Sequence, residues 1–212
     1  SEDNDIQARD VEYRNDGTSF DVFVEDEYYG HFDLPLYGKH MLLNSLAVIA
    51  ICHYERMDAR EVAKVLKTFK GAERRFKETF IGNNVLIDDY AHHPEEISAA
   101  LSSIRKAYPG MKLTAAFQPH LYTRTRDFAD EFAQALSSVD KLILLEIYPA
   151  REEPIPGVTS EIIFRNVTAP EKVLLRRDEF MKYMEKEEVE LFVTLGAGDI
   201  DRFVGPIAQM LG

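Results

Sequence analysis

The sequence predicts an α/β protein: a mostly parallel sheet with flanking helices in the C-terminal part, preceded by a smaller strand-and-helix segment. Three observations carry this. From Val85 onward, short apolar runs alternate with stretches of helical period. The first third lacks that alternation and opens with three short alternating segments followed by two helical patterns. Over 212 residues the hydrophobic fraction is 45% and the aromatic fraction 11%, enough to bury a core in one large or two small domains.

In the first third, Gln7–Tyr13, Ser19–Val24 and Tyr28–Leu34 read as strands, with turns at Asn15-Asp16-Gly17 and Glu25-Asp26-Glu27. A helix is expected over Lys39–Tyr54. Another covers Asp58–Phe69, with Asp58 as N-cap and Gly71 as stop. The block closes near Glu73. Beyond it, strands are expected at Val85–Asp89, Lys112–Gln118, Lys141–Ile147, Lys172–Arg176 and Leu191–Leu195. Helices are expected at Pro94–Ala107, Arg126–Ser137, Thr159–Phe164, Asp178–Lys186 and Ile200–Leu211. Pro94 suits a first helical position, and Glu95 and Glu96 favour the positive end of the helix dipole. Strand–helix alternation implies right-handed βαβ crossovers. Ligands then bind beyond the carboxyl ends of the strands, so the loops after Asp89, Gln118, Ile147 and Leu195 are where chemistry belongs.

Composition narrows the function. A formal charge of −12 repels nucleic-acid phosphates. Cys52 stands alone, which excludes an intrachain disulfide or a cysteine metal cluster and fits a reducing cytoplasm. The longest apolar run, Met41 to Tyr54, contains Asn44 and His53 and is too short to span a bilayer. The chain starts at Ser1 with an acidic stretch and no initiator Met, which suggests a piece of a longer protein.

Five segments could carry chemistry. In Asp88-Asp89-Tyr90-Ala91-His92-His93-Pro94, a carboxylate could hold a ribose diol or a cation and Tyr90 could lie against a base. A capped loop with solvated charges fits the same residues. In the stretch from Gln118 to Asp127, which contains His120, Arg124 and Arg126, arginine could grip a carboxylate or phosphate in bidentate fashion, or pair with Asp127 and Asp130 at the surface. Asn44 could read an adenine edge or satisfy nearby backbone. Arg74 and Arg75 suit a phosphate or plain solvent. Gly196-Ala197-Gly198-Asp199 resembles part of a dinucleotide fingerprint, but Asp201 stands where the third glycine belongs, and a tight turn explains it equally. No Gly-x-x-x-x-Gly-Lys-Ser/Thr phosphate loop occurs.

In order and spacing these segments resemble the Mur ligases. The likeness rests on Gly38…His40…Asn44, Arg74-Arg75-Phe76, Asp88 to Pro94, the run from Phe117 to Phe128, Tyr148-Pro149-Ala150-Arg151-Glu152 and Gly196-Ala197-Gly198-Asp199. It is strongest to the branch that attaches L-alanine. The resemblance implies a Rossmann-like C-terminal domain over residues 74–212, which receives the amino acid. Residues 1–73 would then be the C-terminal remainder of a central ATPase domain. It implies an ATP- and Mg²⁺-dependent ligation of L-alanine to UDP-N-acetylmuramate through an acyl phosphate, with His120 and Arg124 at the L-alanine. His40, Asn44, Arg74, Arg75, Asp88, Asp89 and Tyr90 would serve the nucleotide. The phosphate loop, the Mg²⁺ ligands and the UDP-sugar domain would lie outside this chain, so it is expected to be inactive alone and to hold no cofactor tightly. Two positions depart from the family pattern: Met41, where Asn often follows the histidine, and Leu121, where some members carry Arg. Two rival readings remain. One is a sibling ligase that adds a whole peptide. The other is a nucleotide-binding module without catalysis.

Overall fold

The computed structural model describes residues 4–14, 17–36, 38–71 and 73–212, apart from the side chain of His40. The turn expected at Asn15 and Asp16 lies outside the described residues. The chain divides into two compact units, Ser1–Ala72 and Glu73–Gly212.

In the first unit, β1 (Ile6–Arg14), β2 (Gly17–Val24) and β3 (Glu27–Leu34) form an antiparallel meander in that order. Phe20 pairs with Phe32 across β2 and β3, and their rings stack at 6.0 Å. Helices α1 (Lys39–Tyr54) and α2 (Ala59–Leu66) cover this face, burying Met41, Leu42, Ile49, Val62 and Leu66 against Phe20, Val22, Phe32 and Leu34. Asp58 caps α2 by accepting the Arg60 N–H at 2.8 Å. The helix ends at Leu66 rather than Phe69, because the next N–H groups reach back only three residues, from Thr68 to Val65 and from Phe69 to Leu66. On α1, Leu43, Val48, Ile51 and Tyr54 are exposed, so the helix is apolar on the covered and the open side alike.

The second unit holds β4 (Lys77–Ile81), β5 (Asn84–Asp89), β6 (Leu113–Phe117), β7 (Lys141–Leu145), β8 (Glu171–Leu175) and β9 (Leu191–Leu195). They form one sheet in the order β4-β5-β9-β6-β7-β8. All neighbours pair in parallel except β4, which is antiparallel to β5. Helices α3 (Pro94–Ala107), α4 (Tyr122–Asp127), α5 (Ala129–Leu136), α6 (Glu161–Phe164), α7 (Phe180–Met184) and α8 (Val204–Leu211) follow in sequence among the strands. Alternate strand residues feed two cores. Val85, Ile87, Ala115, Phe117 and Val193 pack under Ile97, Leu101, Ile104, Phe132, Leu136 and Ile163 from α3, α5 and α6. Leu86, Ala116, Ile143 and Phe192 pack under Phe180 and Met184 of α7 and Ile200 and Ile207 at the C-terminal end.

The last strand, β9, inserts between β5 and β6, and its register sets Asp89 beside Leu195 and Leu195 beside Phe117. Three carboxyl ends are therefore level, and the loops after them share one sheet edge. The chain after β9 passes to the opposite face from α3 and α5, so this edge is a switch point of the kind where α/β sheets bind ligands.

The structure corrects several boundaries. The helix expected over Arg126–Ser137 starts earlier, as α4, and breaks at Phe128 (φ −125°, ψ 27°), whose ring packs edge-on to His93 at 4.8 Å. Helices expected at Asp178 and Ile200 begin as 3₁₀ turns, Arg177–Glu179 and Asp199–Phe203. Strand β4 was not anticipated. As an edge strand with a polar sequence it lacks alternation, but its Gly82-Asn83 link to β5 is a hairpin signature. Among the described residues no helix is long and apolar enough to cross a membrane.

Phe132 is fully buried with its ring 5.3 Å from that of Phe117. Phe132→Ala is expected to cost about 3–5 kcal/mol of this unit's stability. Urea unfolding followed by tyrosine fluorescence measures it as a lower midpoint at unchanged slope.

Candidate functional site

The site is built on the level edge of β5, β9 and β6. At the end of β5, the two acids point different ways. Asp88 is buried; its Oδ1 accepts from Thr194 Oγ1 at 2.7 Å, and its Oδ2 lies 3.4 Å from Arg74 Nε. Burial pushes the Asp88 carboxyl above the usual carboxylate range, against the opposing pull of Thr194 and Arg74. The Asp89 carboxylate accepts the backbone N–H of Phe76 and of Ala91, each at 2.8 Å. Arg74 turns inward as well. Its guanidinium donates to the carbonyls of Gly196 and Gly198 and lies 3.8 Å from Asp201. These three residues, expected at the nucleotide, are engaged by the chain itself, except that Arg74 Nε has the Asp88 ion pair but no hydrogen bond among the described residues.

Arg75 and Tyr90 face outward. Tyr90 is held by its N–H to the Arg74 carbonyl at 2.6 Å, and its ring lies under both guanidiniums, 5.0 Å from Arg74 and 5.5 Å from Arg75. His92 meets the Tyr90 ring edge-on at 5.2 Å and the His120 ring at 6.1 Å. Glu96, one turn into α3, accepts the N–H groups of His92 and His93. The two loops singled out in the sequence thus meet ring to ring.

The His120 loop is clasped from its far side. Tyr148 donates its N–H to the Pro119 carbonyl and accepts the Leu121 N–H, at 2.8 and 2.9 Å, while its ring stacks on His120 at 5.7 Å. Leu121 has φ 75°, a backbone conformation costly for a branched side chain. Arg124 lies one turn into α4. Two nitrogens here, His120 Nδ1 and Arg124 Nη1, are buried and lack a hydrogen-bond partner among the described residues. By contrast Arg126 pairs with Asp127 at 2.7 Å, and Asp130 accepts from Asn166. Of the surface pairings considered for this loop, Arg126 has one and Arg124 does not.

The glycine turn after β9 has a packing explanation. A Cβ on Gly198 would sit 2.4 Å from Gln118 Oε1 and 2.8 Å from Tyr148 Cβ, so the clasping loop occupies the space above it. Gln118 is buried and bridges to Asp199 Oδ1 at 3.0 Å and to the Ile200 N–H at 3.1 Å. Gln118, Tyr148 and Glu152 were not among the expected site residues, although each lies in a loop that the strand-end rule marks. A cleft of about 550 Å³ opens beyond the ends of β7 and β8, with Tyr122, Glu146, Val158, Ser160 and Arg176 among its walls.

The remaining expected residues lie in the first unit. Asn44 is exposed on α1, and His40 opens that helix with its side chain outside the described set. That unit also contains a polar relay: Ser19 Oγ is 3.1 Å from His31 Nε2, and His31 Nδ1 is 2.7 Å from Asp21. Strand register alone accounts for it, since Asp21 faces His31 across the pair, and Ser19 is only 3% exposed. Among the described residues no group of three or more His, Cys, Asp or Glu side chains could hold a metal ion.

Comparison with known proteins identifies the family and the fold. The model of the Mur ligase glutamate ligase domain matches residues 74–198, more than half of the chain. The chain belongs to the Mur ligase family. Similar solved structures include UDP-N-acetylmuramate-alanine ligase from Thermotoga maritima, at 25% identity and TM-score 0.77, covering 97% of this chain and 45% of that one. A murein peptide ligase from Psychrobacter arcticus gives 20% identity, TM-score 0.73 and coverage of 99% and 45%. The MurF ligase from Thermotoga maritima, solved with ADP, gives 17%, 0.65, and 98% and 47%. The chain therefore spans less than half the length of each of these Mur ligase structures, and the last two show likeness of fold alone.

Burial, then the charges of Arg124 and His92, push the His120 imidazole below its ordinary 6.5, with Glu152 pulling the other way. The shift favours the neutral imidazole at pH 7. On acidification the unfolded chain takes up this proton first, so stability falls as pH drops from about 6.5 toward the lowered folded-state value. A proton NMR titration should place the His120 midpoint below that of an unfolded histidine. In His120→Asn the loss of stability between pH 7 and 5 should be smaller.

Proposed function

We propose that this chain is part of an ATP-dependent ligase that joins L-alanine to UDP-N-acetylmuramate through an acyl phosphate, and that it supplies the amino-acid site. The observation that carries this reading is the His120–Arg124 loop. An imidazole and a guanidinium, each with a buried nitrogen that has no partner among the described residues, stand at the carboxyl edge of a parallel sheet, and burial favours the uncharged imidazole. That pair matches a small zwitterion: Arg124 takes the carboxylate, and His120, uncharged, does not repel the amine. Once the amine is aligned with the acyl phosphate, attack needs positioning and neutralised charge more than a covalent group from the protein. Tyr90 and Arg75 lie on the nucleotide side of this arrangement, while Arg74, Asp88 and Asp89 hold the loop that presents them.

Residues 1–73 fit the tail of a central ATPase domain. The apolar open side of α1, with Asn44 on it, suits a helix that the rest of such a domain covers. Among the described residues no group of three or more His, Cys, Asp or Glu side chains is placed to hold Mg²⁺. The packing of Gln118 and Tyr148 over Gly198 speaks against a dinucleotide module, because the space a pyrophosphate would need is filled by the chain. A second reading, a peptide-adding sibling, draws support from the cleft beside Tyr122, larger than an alanine methyl requires.

In the longer ligase that contains this chain, Arg124→Ala should lower kcat/KM for L-alanine by about 10- to 150-fold, the loss of a charge-assisted hydrogen bond of about 1.5–3 kcal/mol. ATP affinity should hardly change. Normal alanine kinetics in that variant would end the assignment, and preference for a peptide over L-alanine would favour the sibling. The 212-residue chain itself has no phosphate-loop sequence. It should bind ATP on the order of millimolar, about 4 kcal/mol, and release no phosphate. Micromolar binding by calorimetry would contradict this.

A further inference from the structure

The His120–Arg124 segment is held by a carboxylate from another loop. Helix α4 begins after Leu121, whose side chain cannot cap it. Glu152 fills that role from the turn after β7. Its Oε2 accepts the Thr123 N–H at 3.0 Å, and its Oε1 accepts the Thr123 hydroxyl. Glu152 is itself fixed by its N–H to the Pro149 carbonyl at 2.9 Å, next to Ala150 at φ 52°. The same turn supplies Tyr148, which brackets His120 by donating its N–H to the Pro119 carbonyl and accepting the Leu121 N–H, and stacks on the His120 ring.

We propose that Glu152 is a positioning residue for the amino-acid site, locking Thr123 so that His120 and Arg124, on either side of it, face one small zwitterionic ligand. Two features argue against a merely decorative cap. Leu121 is held at φ 75°, which the loop abandons unless its neighbours fix both ends. Thr123 presents a backbone and a side-chain donor to the two oxygens of one carboxylate, a bidentate contact that sets orientation as well as distance. Glu152 is only partly buried, so its attraction for distant charges is screened and its contribution is geometric first. Its negative charge still bears on the imidazole next to it.

The substrate part of this proposal rests on the amino-acid reading above, and the test separates the two. NMR of the 212-residue chain would compare the parent with Glu152→Ala and Glu152→Gln, and with Glu153→Ala as a neighbouring control. In Glu152→Ala, exchange of the Thr123 amide should quicken by about tenfold or more, and saturation of the Arg124 side-chain signal by L-alanine should need about tenfold more ligand. Glu152→Gln keeps an oxygen for the Thr123 N–H and should restore most of the protection. It removes the charge, so the His120 titration should move further down in both variants, which a purely structural contact would not predict. Unchanged Thr123 exchange together with an unchanged His120 titration in Glu152→Ala would overturn the positioning role. A parent chain whose His120 and Arg124 ignore L-alanine would overturn the substrate assignment, while Thr123 exchange would still decide whether Glu152 holds the loop.

Discussion

Between the end of β5 and the turn after β9, the guanidinium of Arg74 lies against the carbonyls of Gly196 and Gly198 and within ion-pair range of Asp88. A charge removed from water is costly unless it is paired and hydrogen-bonded. Asp88 is almost fully buried, and Arg74 is the cation that faces it. Loss of Arg74 would leave Asp88 with only the Thr194 hydroxyl, and loss of Asp88 would leave Arg74 with two carbonyls and the more distant Asp201. The consequence is geometric: the 74–76, 88–91 and 196–199 segments are tied to one another, with Phe76 bound back to Asp89. Tyr90 inherits its position from that knot through its N–H to the Arg74 carbonyl, and it meets His92 at the ring edge. The outward-facing groups of the site are therefore set by inward-facing ones.

Periodicity made much of the fold legible in the sequence. Lys39–Tyr54, Pro94–Ala107 and Leu191–Leu195 have the same limits in sequence and structure, because each combines a strong apolar pattern with clear end signals. The misses have physical causes. Edge strand β4 exposes Phe80 and carries polar residues on both faces, so no alternation marks it. The break at Phe128 reflects packing against His93, a contact distant in sequence. At the site, residue types marked loops that the structure brings to one sheet edge, but they did not reveal which way side chains turn. Asp89 and Arg74 look in sequence like ligand contacts, and in the structure they hold backbone. Glu152 looks like a surface acid, and its partner is a threonine amide 29 positions away.

Backbone strain in the second unit lies beside the site. Arg74, Phe76, Leu121 and Ala150 all have positive φ, and they flank the site from two sides. Such conformations cost of order 1–3 kcal/mol each and persist only where the surroundings over-determine them. On one side the Asp88–Arg74 contact and the Asp89 carboxylate do this; on the other, the Tyr148 and Glu152 clasp. In the second unit these strained positions coincide with turns that aim a side chain of the site.

Strain held in this way has a purpose only if the aimed groups have something to meet. His120 Nδ1 and Arg124 Nη1 are polar atoms in a buried setting with no partner among the described residues, a state that costs about 1–3 kcal/mol for each group. A fold that needed only stability would relax the 120–124 turn and let these atoms reach water or a carbonyl. The clasp prevents that relaxation. A ligand that offers a carboxylate to Arg124 recovers the desolvation cost already present in the protein and loses little to ordering the loop, because the loop is ordered beforehand. Preorganisation of this kind favours a small ligand with few contacts, since the protein rather than the ligand bears the cost of holding the geometry.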